Sequence, residues 1–208
     1  MNYHNPHPPT HLPRVLSPEE AQRLLSTTDA ARDQYAVRDS AILHVLYTTG
    51  CRSAELCGMT LDRYDRVNRR ILIQGKKQRE RYVFLTPFAQ HQLNTYLETR
   101  SRWAGPHSYV WINLPSGAPL SDRVLRLIVN SRALDAFGPW FRVHPHMLRH
   151  SFATHLTDAG VDLSDLARMM GHASLDSTMV YIHTAPNRLA AQHAKYLAIA
   201  AESAEPTR

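Results

Sequence analysis

Apolar residues recur at helical spacing between residues 144 and 171 of the chain. One helix is predicted there from an apolar stripe formed by Leu148, Phe152, Leu156 and Ala159. Pro145 suits the first turn of this helix, and Gly160 is expected to end it because glycine adopts the left-handed cap conformation freely. A second helix is predicted to begin after Asp162, as its N-cap, and to stop at Gly171.

The first part of the chain carries equally clear helix boundaries. Ser17, Pro18 and Glu20 form a capping-box pattern that starts one helix. The next helix is predicted from about Ala36 to Thr49, and Gly50 closes it. Amphipathic segments with such distinct ends favour a mainly helical fold.

A tight turn separates the second helix from a short third one. Arg52 is expected at the entrance of this third helix, and Glu55 lies three residues on, where it can brace the arginine. Two further helices are predicted, one opening at Thr86-Pro87 and one capped by Ser121.

The hydrophobic pattern changes in the middle of the chain. Residues 70–74 and 81–85 are rich in β-branched and aromatic side chains, which favours strands. A polar turn with a basic tip, residues 75–80, joins them into a hairpin, and residues 64–67 are expected to extend the sheet. The predicted fold class is therefore mainly α with a small antiparallel β-sheet, an α+β arrangement.

Composition narrows the range of functions. A formal net charge of +6 over 208 residues suits a polyanionic partner such as nucleic acid. The two cysteines, Cys51 and Cys57, form neither a zinc site nor a disulfide framework, which favours a reducing cytoplasm. No apolar run approaches membrane-spanning length, so we expect no contact with a membrane.

Several polar groups lie close together in the helical stretch near the C-terminus. His146, Arg149, His172 and Tyr181 are poor core material as a set, because a buried charge requires a partner. Each of them alone would be read as a surface residue. Together with Arg52 they indicate a functional site.

A metal site is the other interpretation of the histidines. His146 and His150 are four positions apart, and His144 and His155 lie nearby. The segment has no HExxH carboxylate, so we expect no metal and no cofactor. His150 and His155 are predicted to have structural roles.

Four blocks of the sequence resemble the tyrosine recombinases, also called phage-type integrases. The blocks are residues 49–56, the hairpin beginning at Gly75-Lys76, residues 146–154, and Gly171-His172 followed by Tyr181. They occur in the family's order, and the resemblance extends from about Leu12 to Leu197. It implies a catalytic set of Arg52, Lys76, His146, Arg149, His172 and Tyr181.

This resemblance implies DNA cleavage without a metal. Tyr181 would attack phosphorus and form a 3′-phosphotyrosine, so that the bond energy is kept for rejoining. Arg52 and Arg149 would hold the two non-bridging oxygens, since their planar guanidinium groups match a phosphate. His172 would donate a hydrogen bond to the same phosphate. His146 would exchange a proton with the tyrosine, because imidazoles in general titrate near neutral pH.

The hairpin tip is expected to supply the remaining chemistry. Lys76 would protonate the departing 5′ oxygen, and Lys77, Arg79 and Arg81 are predicted to bind DNA. Lys77 stands where the family usually has a second glycine, so Lys76 and Lys77 both remain candidates for the catalytic lysine. A merely solvated turn is the alternative for all four cations.

The resemblance also implies a domain organisation. Residues 1–14 are expected to be a flexible leader and residues 15–185 the catalytic domain. Residues 186–208 are expected to form a C-terminal helix and tail that could dock on a neighbouring protomer or on the same chain. The usual N-terminal domain that clamps DNA is not expected in this chain. The implied partners are double-stranded DNA with inverted-repeat sites, further copies in a tetrameric synapse, and a second protein that could supply the clamp.

Two other functions are compatible with parts of the sequence. The helices on either side of Gly160 resemble a helix-turn-helix, which would suit a non-catalytic DNA-binding protein. A type IB topoisomerase would share the tyrosine nucleophile. The non-catalytic alternative gives no role to Arg52 and Tyr181. The residues of the four motifs resemble those of recombinases more than those of topoisomerases.

Overall fold

The computed structural model describes residues 14–28, 34–75, 78–114 and 116–171. The α-helices of this part are α1 Pro18–Leu25, α2 Gln34–Thr49, α3 Ser53–Cys57, α4 Pro87–Arg100, α5 Asp122–Phe137, α6 Pro145–Asp158 and α7 Leu163–Met170. The strands are β1 Tyr64–Asp65, β2 Arg70–Gln74 and β3 Glu80–Phe84. The predicted fold class, mainly α with a small antiparallel sheet, is confirmed.

The helix starts follow the capping residues seen in the sequence. The Ser17 side chain accepts from the Glu20 amide at 3.1 Å, and the Glu20 carboxylate accepts from the Ser17 amide at 2.9 Å. Thr86, Ser121 and Asp162 cap their helices in the same manner, each accepting a backbone N–H with its side chain. These local hydrogen bonds satisfy amide groups that the helices leave unpaired.

The sheet has the order β1-β2-β3, and both pairings are antiparallel. Ile71 pairs with Val83 and Ile73 pairs with Arg81, and the three apolar members of these pairs are buried. Because alternate strand residues share a face, Arg81 lies on the same side of β3 as Val83 and points towards the interior. This register sets the position of an arginine that becomes important below.

Helix α2 forms the centre of the core and packs against α4 and α6. Its residues 41–46 are all buried, so the helix is covered on most of its circumference. Near its start Asp39 accepts from Arg38 at 2.9 Å and from Arg132 of α5 at 2.7 Å. This buried carboxylate, shared by two arginines, joins α2 to α5.

Helices α6 and α7 form a smaller cluster of their own. Phe152, Ala153, Leu166 and Met170 are buried together in it. Gly160, at φ +87°, reverses the chain between the two helices. The predicted apolar stripe differs at one position, because Ala159 is the exposed C-cap of α6 and not a core residue.

The segment before α1 is hydrogen-bonded to α6. The Leu16 amide donates to the Ser151 hydroxyl at 2.8 Å, and His155 Nε2 donates to the Leu16 carbonyl at 2.9 Å. Nδ1 of the same ring is hydrogen-bonded to the Tyr47 hydroxyl at 2.8 Å. The predicted structural role of His155 is confirmed by these contacts.

Strand boundaries differ slightly from the sequence-based expectation. β1 ends at Asp65 and does not continue to Val67, because the Asp65 carboxylate accepts from the Asn68 amide at 3.1 Å and starts a turn. None of the helices in the described part combines the length and apolarity that a bilayer crossing requires.

A glycine in the loop before α5 provides a test of the fold. Gly117 has φ +70°, and a Cβ added there would overlap the Trp103 carbonyl oxygen. Gly117→Ala should therefore lower the free energy of unfolding by about 2 to 5 kcal/mol, from the backbone conformation and the clash together. Gly160→Ala is the matched control, since its φ is also positive but no atom lies within 4 Å of the added Cβ. Urea denaturation should show the larger loss for Gly117→Ala; equal losses would contradict the packing described.

Candidate active site

The turn between α2 and α3 requires glycine. Gly50 has φ +58°, and a Cβ there would overlap the Phe152 ring of α6. The Thr49 hydroxyl accepts from the Cys51 amide at 3.3 Å, so a hydrogen bond spans the turn on both sides of Gly50. This geometry places Arg52 at the N-cap of α3, with its side chain at the surface of the molecule.

Glu55 braces Arg52, as the sequence predicts. Arg52 Nη1 donates to Glu55 Oε1 at 2.9 Å, and the Arg52 backbone N–H donates to Oε2 at 2.7 Å. Arg52 Nη2 also reaches the Gly171 carbonyl at 3.4 Å, while 33% of the side chain remains exposed. The arginine is thus held on one side and open to solvent on the other.

The same carboxylate binds a second arginine. Arg81 Nη1 and Nη2 donate to the two oxygens of Glu55 at 2.8 and 2.9 Å, a bidentate pair. Burial raises the pKa of the Glu55 carboxyl, but the hydrogen bonds from Arg81 and from the Arg52 amide, with both positive charges, lower it to about 2. Glu55 is therefore ionised at neutral pH even though only 4% of the residue is exposed.

The guanidinium of Arg81, a residue that the sequence analysis predicts to bind DNA, has protein partners in the structure. Besides Glu55, Nε donates to the Met169 carbonyl at 3.0 Å, and a Cβ on Gly171 would lie 2.7 Å from Nη1. The sequence held a signal for this position, because Arg81 lies two residues before the buried Val83 and therefore on the same face of β3. Arg79, in contrast, is exposed at the hairpin.

Arg149 points inward from α6 and is 5% exposed. Its Nη1 donates to the Gly50 carbonyl at 2.5 Å and its Nη2 to the Met170 carbonyl at 2.7 Å. Arg52 reaches the next carbonyl, that of Gly171. Two arginines that are far apart in sequence therefore meet at consecutive peptide groups, directly before His172.

The histidines gather at the start of α6. His144 caps the helix by accepting from the Met147 amide at 3.2 Å, and its ring lies 6.5 Å from that of His146. His146 is exposed although Arg149 is buried, since residues three apart on a helix are offset by about 60°. His146 and Arg149 therefore lie on neighbouring faces of α6.

Two of the imidazoles at the start of α6, those of His144 and His150, have lowered pKa values. Burial lowers the pKa of His150, and the neighbouring His146, Arg149 and His144 lower it further. Burial also lowers the pKa of His144, with smaller contributions from His146 and Arg126. Protonation of His144 and His150 is thus disfavoured mainly by burial and further by the charges of their neighbours.

Cysteine and metal chemistry receive no support from the described residues. Burial raises the pKa of the Cys51 thiol to about 12, so this neighbour of Arg52 is an unreactive core residue. Within residues 14–28, 34–75, 78–114 and 116–171, no group of three or more histidine, cysteine or acidic side chains could hold a metal ion.

Four of the predicted site residues lie outside the described residues: Lys76, Lys77, His172 and Tyr181. The C-terminal helix predicted from residue 186 also lies outside them. Their described neighbours are informative. A Cβ on Gly75 would lie 3.3 Å from Glu55 Oε1, and Gly171 packs on Arg81. The chain therefore enters Lys76 and His172 from two points beside one ion-pair cluster.

Comparison with known proteins gives consistent matches. The model of the phage integrase family matches residues 14–188. Tyrosine recombinase XerC of Lacticaseibacillus casei strain BL23 is 36% identical over 195 residues, which cover 89% of this chain and 63% of the relative. The chain thus spans about 60% of the length of the curated relatives it matches.

Solved structures of recombinases share the fold. XerA recombinase has a TM-score of 0.77 at 27% identity, over 92% of this chain and 66% of that protein. XerH, in a post-cleavage complex with its palindromic difH substrate, also has a TM-score of 0.77, at 28% identity, over 89% of this chain and 54% of that protein.

The low pKa of Glu55 predicts how stability depends on pH. The folded-state pKa of about 2 lies below the ordinary value of 4.5, so the stabilisation is complete above pH 4.5 and is lost as the pH falls towards 2. Glu55→Gln should lower the free energy of unfolding by roughly 2 to 3 kcal/mol at pH 7 and by much less at pH 3.

Urea titrations at a series of pH values would measure this effect. Glu80→Gln is the control, because Glu80 pairs with Arg63 where both side chains are exposed and should contribute under about 1 kcal/mol. A difference between Glu55→Gln and the unmodified chain that does not change with pH would contradict the pairing described.

Proposed function

The chain belongs to the phage integrase family, and we propose that it is a tyrosine recombinase that breaks and rejoins DNA at specific sites. One observation carries the proposal. The guanidinium groups of Arg52 and Arg149 meet at the carbonyls of Gly171 and Met170, directly before His172. In the proposed reaction this is the place where the scissile phosphate binds.

Charge supports phosphate binding at this place. Arg52, Arg81 and Arg149 carry three positive charges and Glu55 carries one negative charge, which leaves two positive charges among the four groups. A phosphodiester has one negative charge and gains more as the nucleophile adds. Guanidinium groups fixed in a buried framework stabilise that developing charge without having to reorganise.

Tyr181 is the proposed nucleophile. Its phenolic oxygen forms a bond to phosphorus as the bond from phosphorus to the 5′ oxygen breaks, and Lys76 gives that oxygen a proton. His146 takes part in proton transfer with the tyrosine, and His172 donates a hydrogen bond to the phosphate. The phosphotyrosine retains the energy of the broken bond, so a 5′ hydroxyl can reverse the step without ATP.

The proposed partner is double-stranded DNA, and the structural likeness to XerH, which was solved with difH, supports it. Inverted-repeat sites bound by four copies would bring two duplexes together, and a cytoplasmic location would give access to them. Lys77 and Arg79 are proposed to contact the DNA backbone from the hairpin. The requirement for a second protein stays a prediction.

Removal of the nucleophile tests the reaction. Tyr181→Phe deletes one oxygen, so covalent adduct should fall at least about a thousandfold while DNA binding persists. The probe is a randomised library of nicked suicide duplexes, from which covalent complexes are recovered after denaturation. Tyr35→Phe, which alters a partly exposed tyrosine on α2, should leave the adduct unchanged. A chain that binds DNA but never forms an adduct would be a non-catalytic DNA-binding protein.

Metal removal tests the source of the positive charge. If the arginines supply it, adduct formation should persist within about twofold in excess EDTA, because no Lewis acid takes part. The same suicide duplexes provide the measurement. Loss of adduct that zinc or magnesium restores would instead assign the chemistry to a metal.

A further inference from the structure

Arg81 has no assigned role in the proposed reaction, yet its guanidinium contacts three separate segments of the site. Its guanidinium joins Glu55 of α3, the Met169 carbonyl at the end of α7, and the surface of Gly171. The side chain is 13% exposed. An arginine on a short strand thus ties together the two segments that present Arg52 and lead into His172.

The shared carboxylate determines what Arg52 can do. Arg52 and Glu55 alone would be a neutral pair, and a neutral pair attracts a phosphate weakly. Arg81 takes both oxygens of Glu55 in a bidentate contact, so the negative charge is divided between two cations. Because the carboxylate is buried, this compensation is only weakly screened by solvent.

We propose that Arg81 is a positioning residue for strand cleavage, which acts on Arg52 through Glu55 and fixes the end of α7 beside it. The inference rests on the proposed function, since it concerns the rate of that reaction. Arg81 does not touch the phosphate itself. It leaves a net positive charge on the cluster of Arg52, Glu55 and Arg81 towards the DNA and keeps the Gly171 carbonyl in place.

A second cluster in the same chain supplies the matched control. Asp39 is buried and shared by Arg38 and Arg132, just as Glu55 is shared by Arg52 and Arg81. Arg132 is 17% exposed and forms a two-point contact with its carboxylate, so its environment resembles that of Arg81. Arg132 lies on α5 and contacts none of the site residues named above among its described partners.

The experiment compares Arg81→Gln with Arg132→Gln. DNA affinity and the single-turnover rate of adduct formation are measured separately on a suicide duplex that the unmodified chain cleaves. Arg81→Gln should reduce the rate at saturating DNA about 100-fold, with affinity changed less than about threefold. Arg132→Gln should leave the rate within about twofold. Equal effects of the two variants would overturn the proposal.

Compensation by a second change separates an electrostatic role from mere bracing. Arg81→Gln with Glu55→Gln restores the net charge beside Arg52, so it should cleave at least about tenfold faster than Arg81→Gln alone. A double variant as slow as the single one would overturn the route through Glu55. Failure of the unmodified chain to form any adduct would instead count against the recombinase function.

Arg81→Lys and Arg132→Lys cover the case in which Arg81→Gln does not fold. Lysine keeps the charge but cannot make the bidentate contact and the Met169 contact together. Arg81→Lys should therefore retain the fold and lose about tenfold in cleavage rate, whereas Arg132→Lys should lose none. An Arg81→Lys variant with the full rate would overturn the proposal.

Discussion

The arrangement of the site depends on one buried carboxylate. Glu55 is almost fully covered, and the penalty for burying its charge is offset only because two guanidinium groups donate to it. Arg52 comes from its own helix start and Arg81 from the sheet, so the carboxylate joins a helical element to a β element. The small sheet thereby acts as part of the frame that holds the arginines, in addition to carrying the lysine turn.

Local signals explain why most of the helices could be predicted. Ser17 with Glu20, Thr86 with Pro87, and the Gly160 reversal each depend on residues a few positions apart, and the structure has all of them. The misses are at element ends. β1 stops where an Asp65 side chain competes for the backbone, and this competition is not visible in a hydrophobic pattern.

The contacts of the site also divide into those that local sequence predicts and those that depend on tertiary packing. The brace between Arg52 and Glu55 spans three residues and was predicted from spacing alone. The partners of Arg149, at Gly50 and Met170, depend on how three helices pack, and no local pattern contains that information. The contacts of Arg81 depend on hairpin register, which pairs it with Ile73 and turns it inward. Its position on the strand gives its guanidinium protein partners, which its charge alone does not predict.

The anchoring of Leu16 has a mechanical consequence. Its amide and carbonyl are both bonded to α6, through Ser151 and His155, on the same rigid rod that carries Arg149. Tension applied to the chain upstream of Leu16 would therefore act on α6 through these two hydrogen bonds and on the main core through the buried Leu16 side chain. A force on the segment before Leu16 and a displacement of Arg149 would therefore be mechanically coupled through α6.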